Sequence, residues 1–239
     1  ISLGLVGSEM CIRDRDTYFE GERITDLAGH PILGKTVDIV AAGYDRFYAP
    51  GSDTISEYMT IPGSAAELKE RMALHHDVDL LTHVTYTGIM TMLTAADRIA
   101  DARPQAVPQI KAIVRDVQSR DVRITLCITD AKGDRSKHPG EQQDPDAYTR
   151  VVERRADGVV IRGAKLHISG ASFGHELLVI PTKAMRADEG DYAIACLIPV
   201  DAPGVKVVNT TYASRHADTR DFPFSGEAHM PEGFVILDD

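Results

Sequence analysis

Cysteine is scarce, surplus positive charge is missing and no long apolar run occurs, and each shortage removes a class of protein. The three cysteines, Cys11, Cys127 and Cys196, are widely spaced and form no C-x-x-C or similar ligand pattern. They imply no disulfide framework and suit a reducing compartment. The formal net charge of -10 argues against a nucleic-acid or anionic-membrane surface, since either calls for an excess of lysine and arginine. No apolar run approaches the roughly 20 residues that span a bilayer, and no positive region leads into an apolar stretch with a small-residue cleavage site. No G-x-G-x-x-G opens a helix after a strand, and Ser169 and Ser172 lack the strand-turn-helix setting of a nucleophile elbow. A cytoplasmic protein that handles a small molecule is the expectation, with no membrane and no nucleic-acid partner.

What is present is the material of an ordinary globular chain: 239 residues, 43% hydrophobic and 26% charged, enough to build a core in one or two domains. The start is foreign in character. Residues Leu5 to Arg15, LVGSEMCIRDR, read as the translation of a transposase sequencing adapter. Residues 1–15 are therefore set aside as a leader, and Cys11 carries no functional information. Beyond it, 30–48 places Val37, Val40, Ala41, Tyr44 and Tyr48 at helical spacing behind Pro31. Ser64 and Glu67 form a capping box ahead of a long stretch to about Ala102, with Leu68, Met72, Leu81, Val84, Met92 and Ile99 as core candidates and many threonines lowering its helix propensity. Val107, Ile110, Ile113, Val114 and Val117 mark a third helix over 104–120.

The period then changes. Val122, Ile124, Leu126 and Ile128 alternate as in a strand, and a polar run follows from Asp130 to Asp146. Residues 151–163 read as a hairpin turning at Asp157-Gly158, with the glycine supplying a positive φ. Further strands are expected in 177–181, 192–200, 204–212 and 233–239. The expected fold class is α+β: an N-terminal helical domain over 16–135 and a β domain over 136–239. The apolar strand at Val235, Ile236 and Leu237 has nothing after it to cover it, which reads as truncation.

Two stretches carry candidate chemistry. TDAKGDR (129–135) sets Lys132 and Arg135 around a glycine, a weak motif that seen alone is more often a solvated loop with neutralising charges than a phosphate or flavin edge. RGAKLHISGASFGHE (162–176) crowds Lys165, His167, Ser169, His175 and Glu176 between strand signals. Strand alternation would put Lys165, His167 and Ser169 on one face, facing one ligand or simply solvent. His75 and His76 are adjacent in a helical stretch, so they diverge and cannot grip one metal as an i, i+4 pair does.

Taken in order, HPILGKTVDIVAAGYD (30–45), TDAKGDR, DPDAYTRVVERRADGVVIRGAKLH (144–167), HELLVIPTKAM (175–185), DYAIACLIPV (191–200) and EGFVILDD (232–239) resemble the family of 4-hydroxyphenylacetate 3-monooxygenase and 4-hydroxybutyryl-CoA dehydratase, from about Tyr18 to Asp239. The resemblance implies an acyl-CoA dehydrogenase-like build: a helical domain, a β domain and a C-terminal helical bundle that this sequence would lack, assembled as homotetramers around FAD. It places Thr129, Asp130, Lys132 and Arg135 by the flavin, Ser169 and Gly170 on its β-domain side, and Lys165, His167 and Glu232 in the catalytic set. The dehydratase branch requires an iron–sulfur cluster, yet the positions matching its first two cysteine ligands are Thr85 and Ile89, so a cluster is not expected. The monooxygenase branch polarises a phenol with Arg, Tyr and His, where this sequence has Met90, Thr94 and Leu126. The implied function is the oxygenase component of an FAD-dependent aromatic-acid monooxygenase, supplied with reduced flavin by a separate flavin reductase. The alternatives are a dehydratase-like flavoenzyme acting on a hydroxyacyl-CoA, or a non-catalytic fragment.

Overall fold

The computed structural model describes residues 15–47, 55–76, 78–210, 220–227 and 229–239. Residues 1–14, Tyr48 and the tail of the 204–212 stretch lie outside them. Helix α1 (Gly34–Phe47) starts where the His30 ring nitrogen Nδ1 accepts the N–H groups of Ile32 and Leu33, and it buries Val40 and Tyr44. The stretch expected to run on to Ala102 is two helices, α2 (Ala65–Leu74) and α3 (Leu80–Ile99). Ser64 caps the first through Glu67 N–H, although the Glu67 carboxylate reaches back to Gly63 and not to Ser64. Asp79 caps the second through Thr82 N–H and Thr82 Oγ1, and this second cap breaks the expected single helix. Leu68 and Met72, read as core, are 45% and 60% exposed on α2, whereas Leu81 and Met92 of α3 are buried.

The threonines of α3 do not prevent a helix of 20 residues. Thr85 and Thr87 return their hydroxyls to the carbonyls of Leu81 and His83 one turn back, and Thr85 Oγ1 also accepts the N–H of Ile124, tying the helix to the sheet. Helix α4 (Ala106–Ser119) matches the third periodic stretch; Val114 and Val117 are buried, and Ile113 is on the exposed side.

Three layers result. Strands β3 (Ile124–Cys127), β6 (Glu176–Val179) and β7 (Cys196–Pro199) form a small central sheet, with β3 parallel to β6. The Leu126, Leu178 and Leu197 row of this sheet packs on α3 and α4, and the Cys127, Val179 and Cys196 row packs on the second sheet. Being covered on both faces, β3 buries nearly every residue and does not show the half-exposed alternation expected of it.

The second sheet has six strands in the order β2-β1-β8-β9-β5-β4. They are β1 (Asp16–Phe19), β2 (Glu22–Arg23), β4 (Arg150–Arg155), β5 (Gly158–Ser169), β8 (Val205–Asn209) and β9 (Glu232–Asp238). Val205, Val207, Val235, Leu237 and Ile168 point inward from it to the shared core. The chain start thus lies in the sheet of the second half, since β1 runs parallel to β8. A short helix, α5 (Pro223–Glu227), precedes β9. The β4–β5 hairpin forms where expected, but Gly158 is the first residue of β5, paired with Arg155, and the backbone there does not take a positive φ. Among the described residues no helix is long and apolar enough to cross a membrane.

Candidate functional site

Two stretches far apart in sequence meet beside β5. The N–H of Leu166 donates to the carbonyl of Thr129, and Asp130 forms an isolated antiparallel bridge with Lys165. Lys165 Nζ lies 2.7 Å from Asp130 Oδ1, and both side chains are almost wholly enclosed, 1% and 2% exposed. The ammonium also donates to the carbonyls of Ile128 (3.1 Å) and Ile180 (2.8 Å), so all three of its N–H bonds are used. Asp130 in turn accepts the N–H groups of Thr149 (3.0 Å) and Thr182 (3.3 Å). One ion pair therefore fixes the ends of β3 and β6, the approach to β4 and the middle of β5. Burial pulls the Lys165 ammonium below its ordinary range, and the Asp130 carboxylate opposes that pull. As placed, Lys165, expected in the catalytic set, has neither solvent access nor a spare hydrogen bond.

Strand alternation across Lys165, His167 and Ser169 also fails, for a physical reason. Between the register pairs Lys165–Val235 and Ile168–Gly233, β5 spends three residues where β9 spends two. The bulge is taken up at His167, whose φ is +57°. Lys165 and Ile168 both point inward as a result, and His167 is turned out, with its side chain 65% exposed. There the His167 ring nitrogen Nδ1 lies 3.2 Å from Glu232 Oε2, and the ring stands edge-on to Phe234. Ser169 is the register partner of Glu232. His167, Ser169 and Glu232 thus form an outward group, separate from the inward Asp130–Lys165 pair.

The remaining expected residues have different settings. Gly170 turns the chain out of β5 at φ +69°, with its N–H on the carbonyl of Pro231, and a Cβ there would press on Met230 and Leu81. Lys132 and Gly133 both take positive φ, yet the Lys132 N–H is used by the carbonyl of Ala147 and the Asp134 N–H by Gln142 Oε1. Those two N–H groups belong to the loop's own fold, leaving the half-exposed Lys132 and exposed Arg135 side chains as its outward charges. Thr85 and Ile89, which the resemblance set against cluster cysteines, are fully buried in the α3 packing. Cys127 and Cys196 lie between the sheets, where burial pushes their thiols up to about 12 and about 11. No described cysteine is poised as a thiolate. Sequence reasoning missed the N–H groups of Thr149 and Thr182 on Asp130, because backbone donors carry no residue-type signal.

Helices leading into a two-sheet β unit, with a charged loop and a bulged strand meeting at the strand ends, define the class: a mixed helix-and-sheet unit of acyl-CoA dehydrogenase-like build. Within that class the chain belongs to the 4-hydroxyphenylacetate 3-hydroxylase N-terminal family, whose model matches residues 10–239. It is 27% identical over 224 residues to the 4-hydroxybutyryl-CoA dehydratase/vinylacetyl-CoA-Delta-isomerase of Clostridium aminobutyricum, covering 85% of this chain and 45% of that protein. It is 25% identical over 243 residues to the 4-hydroxyphenylacetate 3-monooxygenase oxygenase component of Thermus thermophilus, covering 95% and 50%. Among solved structures, an oxygen-tolerant archaeal 4-hydroxybutyryl-CoA dehydratase from N. maritimus superposes with a TM-score of 0.79 at 26% identity, over 96% of this chain and 51% of that one. The oxygenase component of 4-hydroxyphenylacetate 3-monooxygenase complexed with FAD superposes with a TM-score of 0.80 at 22% identity, over 100% and 53%. The chain spans about half the length of the curated relatives it matches.

Proposed function

We propose that this chain supplies the N-terminal helical domain (16–135), whose β1, β2 and β3 join the sheets, and the β domain (136–239) of an FAD-dependent monooxygenase, the oxygenase component that hydroxylates an aromatic acid. The observation that carries the choice is the chemistry at Thr85 and Ile89. A buried hydroxyl committed to the Leu81 carbonyl and an aliphatic side chain cannot stand in for cluster thiolates, so these residues do not fit the cluster of the dehydratase branch. No step is routed through one.

The residues present do fit a flavin. Lys132 and Arg135 would offer cations to its phosphates, from a loop that Asp130 and Lys165 hold in place. Reduced FAD, when bound, would supply the electrons with which one atom of dioxygen enters the substrate and the other leaves as water. His167 can manage a proton there. With Nδ1–H donated to the Glu232 carboxylate, its Nε2 lone pair points away from Glu232, free to take a proton from a ligand hydroxyl. Ser169 adds a hydroxyl beside it, and Gly170 shapes the turn that follows. A homotetramer, a separate flavin reductase and a cytoplasmic location complete this reading.

The second reading, a dehydratase-like flavoenzyme acting on a hydroxyacyl-CoA, is favoured by the 27% identity to the clostridial dehydratase. One experiment separates the two. The protein, purified without oxygen, is assayed for iron and for dehydration of 4-hydroxybutyryl-CoA, then supplied with FAD, a flavin reductase and aromatic acids under labelled dioxygen. Label in a hydroxylated product supports the monooxygenase. About four irons per subunit with anaerobic dehydration overturns it.

A further inference from the structure

A second cluster lies away from the β5 site, where the loop before α2 meets the junction of α2 and α3. Tyr58, fully buried in a short 3-10 turn, directs its hydroxyl between two imidazoles. Its Oη is 3.2 Å from His75 Nδ1 and 3.1 Å from His83 Nδ1, and the two Nδ1 atoms are 2.7 Å apart. His75 is the C-cap of α2 and His83 lies in the first turn of α3, so the break between the two helices is what brings the rings together. The loop end is held too: the Arg71 guanidinium donates to the carbonyls of Glu57, Tyr58 and Thr60.

Three lone-pair atoms at these separations are hard to satisfy with protons alone. If one Nδ1 carries hydrogen, it can donate to the phenol while the phenol donates to the other Nδ1. Two of the three edges are then served; if the same Nδ1–H is donated across the 2.7 Å edge instead, one of the two phenol edges is left without a hydrogen of its own. A cation seated over the triangle engages all three atoms together. With metal–ligand bonds of about 2.0–2.1 Å, neighbouring ligand atoms stand about 2.9 Å apart at right angles and about 3.3 Å apart in a tetrahedron. The observed edges, 2.7 to 3.2 Å, approach that range. Among the described residues no three of His, Cys, Asp and Glu are placed to hold a metal; the third donor atom of this group is the phenolic oxygen.

We propose that His75 Nδ1, His83 Nδ1 and Tyr58 Oη form a site for one late first-row divalent cation of the zinc type, with water completing its coordination. Imidazole donors favour that class over calcium or magnesium. The site fastens α2 to α3 and to the loop ahead of them, independently of the flavin reading.

The test is calorimetric titration of the full chain with Zn2+, together with visible absorption on adding Co2+. One ion per chain is expected, with a Co2+ band that disappears in His75→Ala and His83→Ala. In Tyr58→Phe the affinity should fall at least tenfold, and His76→Ala, an exposed neighbour, should bind as the parent does. Binding that survives both histidine variants means an adventitious ion only and overturns the site, as does an absence of binding. X-ray absorption at the zinc edge of the parent protein guards against variants that fail to fold: imidazole scattering is expected, and a shell of oxygens alone contradicts the proposal.

Discussion

Strand β5 carries two acid–base pairs two residues apart, and they behave as opposites. Asp130 and Lys165 are sealed between segments with every ammonium hydrogen used, whereas Glu232 and His167 meet on the outside across a bulge. In sequence Lys165 and His167 are titratable residues of one polar stretch. The lesson is that one inserted residue in a strand decides which titratable group becomes part of the frame and which meets solvent.

The sharpest way to break this contrast is to remove one partner from each pair. Lys165→Met leaves the Asp130 carboxylate buried with only backbone donors, so a loss of about 3–5 kcal/mol in urea unfolding is expected. Asp130→Asn should cost a comparable amount. His167→Ala or Glu232→Gln should change stability by about 1 kcal/mol or less, because the pair is largely solvated.

Between these extremes lies His175. Its Nδ1 accepts the N–H of Arg123, and burial, aided by Arg15, Arg123 and Arg120, pushes its pKa down to about 4. The unfolded chain takes up that proton near the ordinary histidine pKa of about 6.5, so the stabilisation is present above that pH and is lost as pH falls toward 4. The loss reaches on the order of 3 kcal/mol. His175→Asn should flatten the fall in urea midpoint between those pH values, and an unchanged slope would show that other groups dominate.

Gly163→Ala tests the inner pair through the backbone. At φ +143° the new Cβ would lie 2.7 Å from the Cα of Thr149, whose N–H serves Asp130, so a loss of roughly 1–3 kcal/mol is expected in thermal or urea unfolding. The smallest effect should be chemical. Cys127, buried and kept as a thiol, should resist maleimide in the native state and react promptly once unfolded. Rapid native labelling would mean that the space between the sheets opens.

Much of the helix and strand content was legible because it rests on periodicity: α4, the β4–β5 hairpin and β9 stand close to where their patterns put them. The helix break at Asp79 was less visible, because a cap inside an apolar-periodic stretch competes with the pattern around it. The parallel pairing of β1 with β8 joins segments some two hundred residues apart, and no local signal reports it. The candidate site was half legible. Thr129–Asp130 and Lys165–Ser169 stood out by composition, but alternation put Lys165 on the face of His167 and Ser169, since a bulge is set by the partner strand and not by the strand's own residues. The Tyr58–His75–His83 triangle was hidden for a related reason: its members are brought together by the fold and not by spacing.

The division between frame and site is tested most directly by urea unfolding of Lys165→Met and His167→Ala beside the parent chain at neutral pH. The account predicts a drop of about 3–5 kcal/mol for the first and a change within about 1 kcal/mol for the second. Equal effects, or the larger loss at His167, would contradict it.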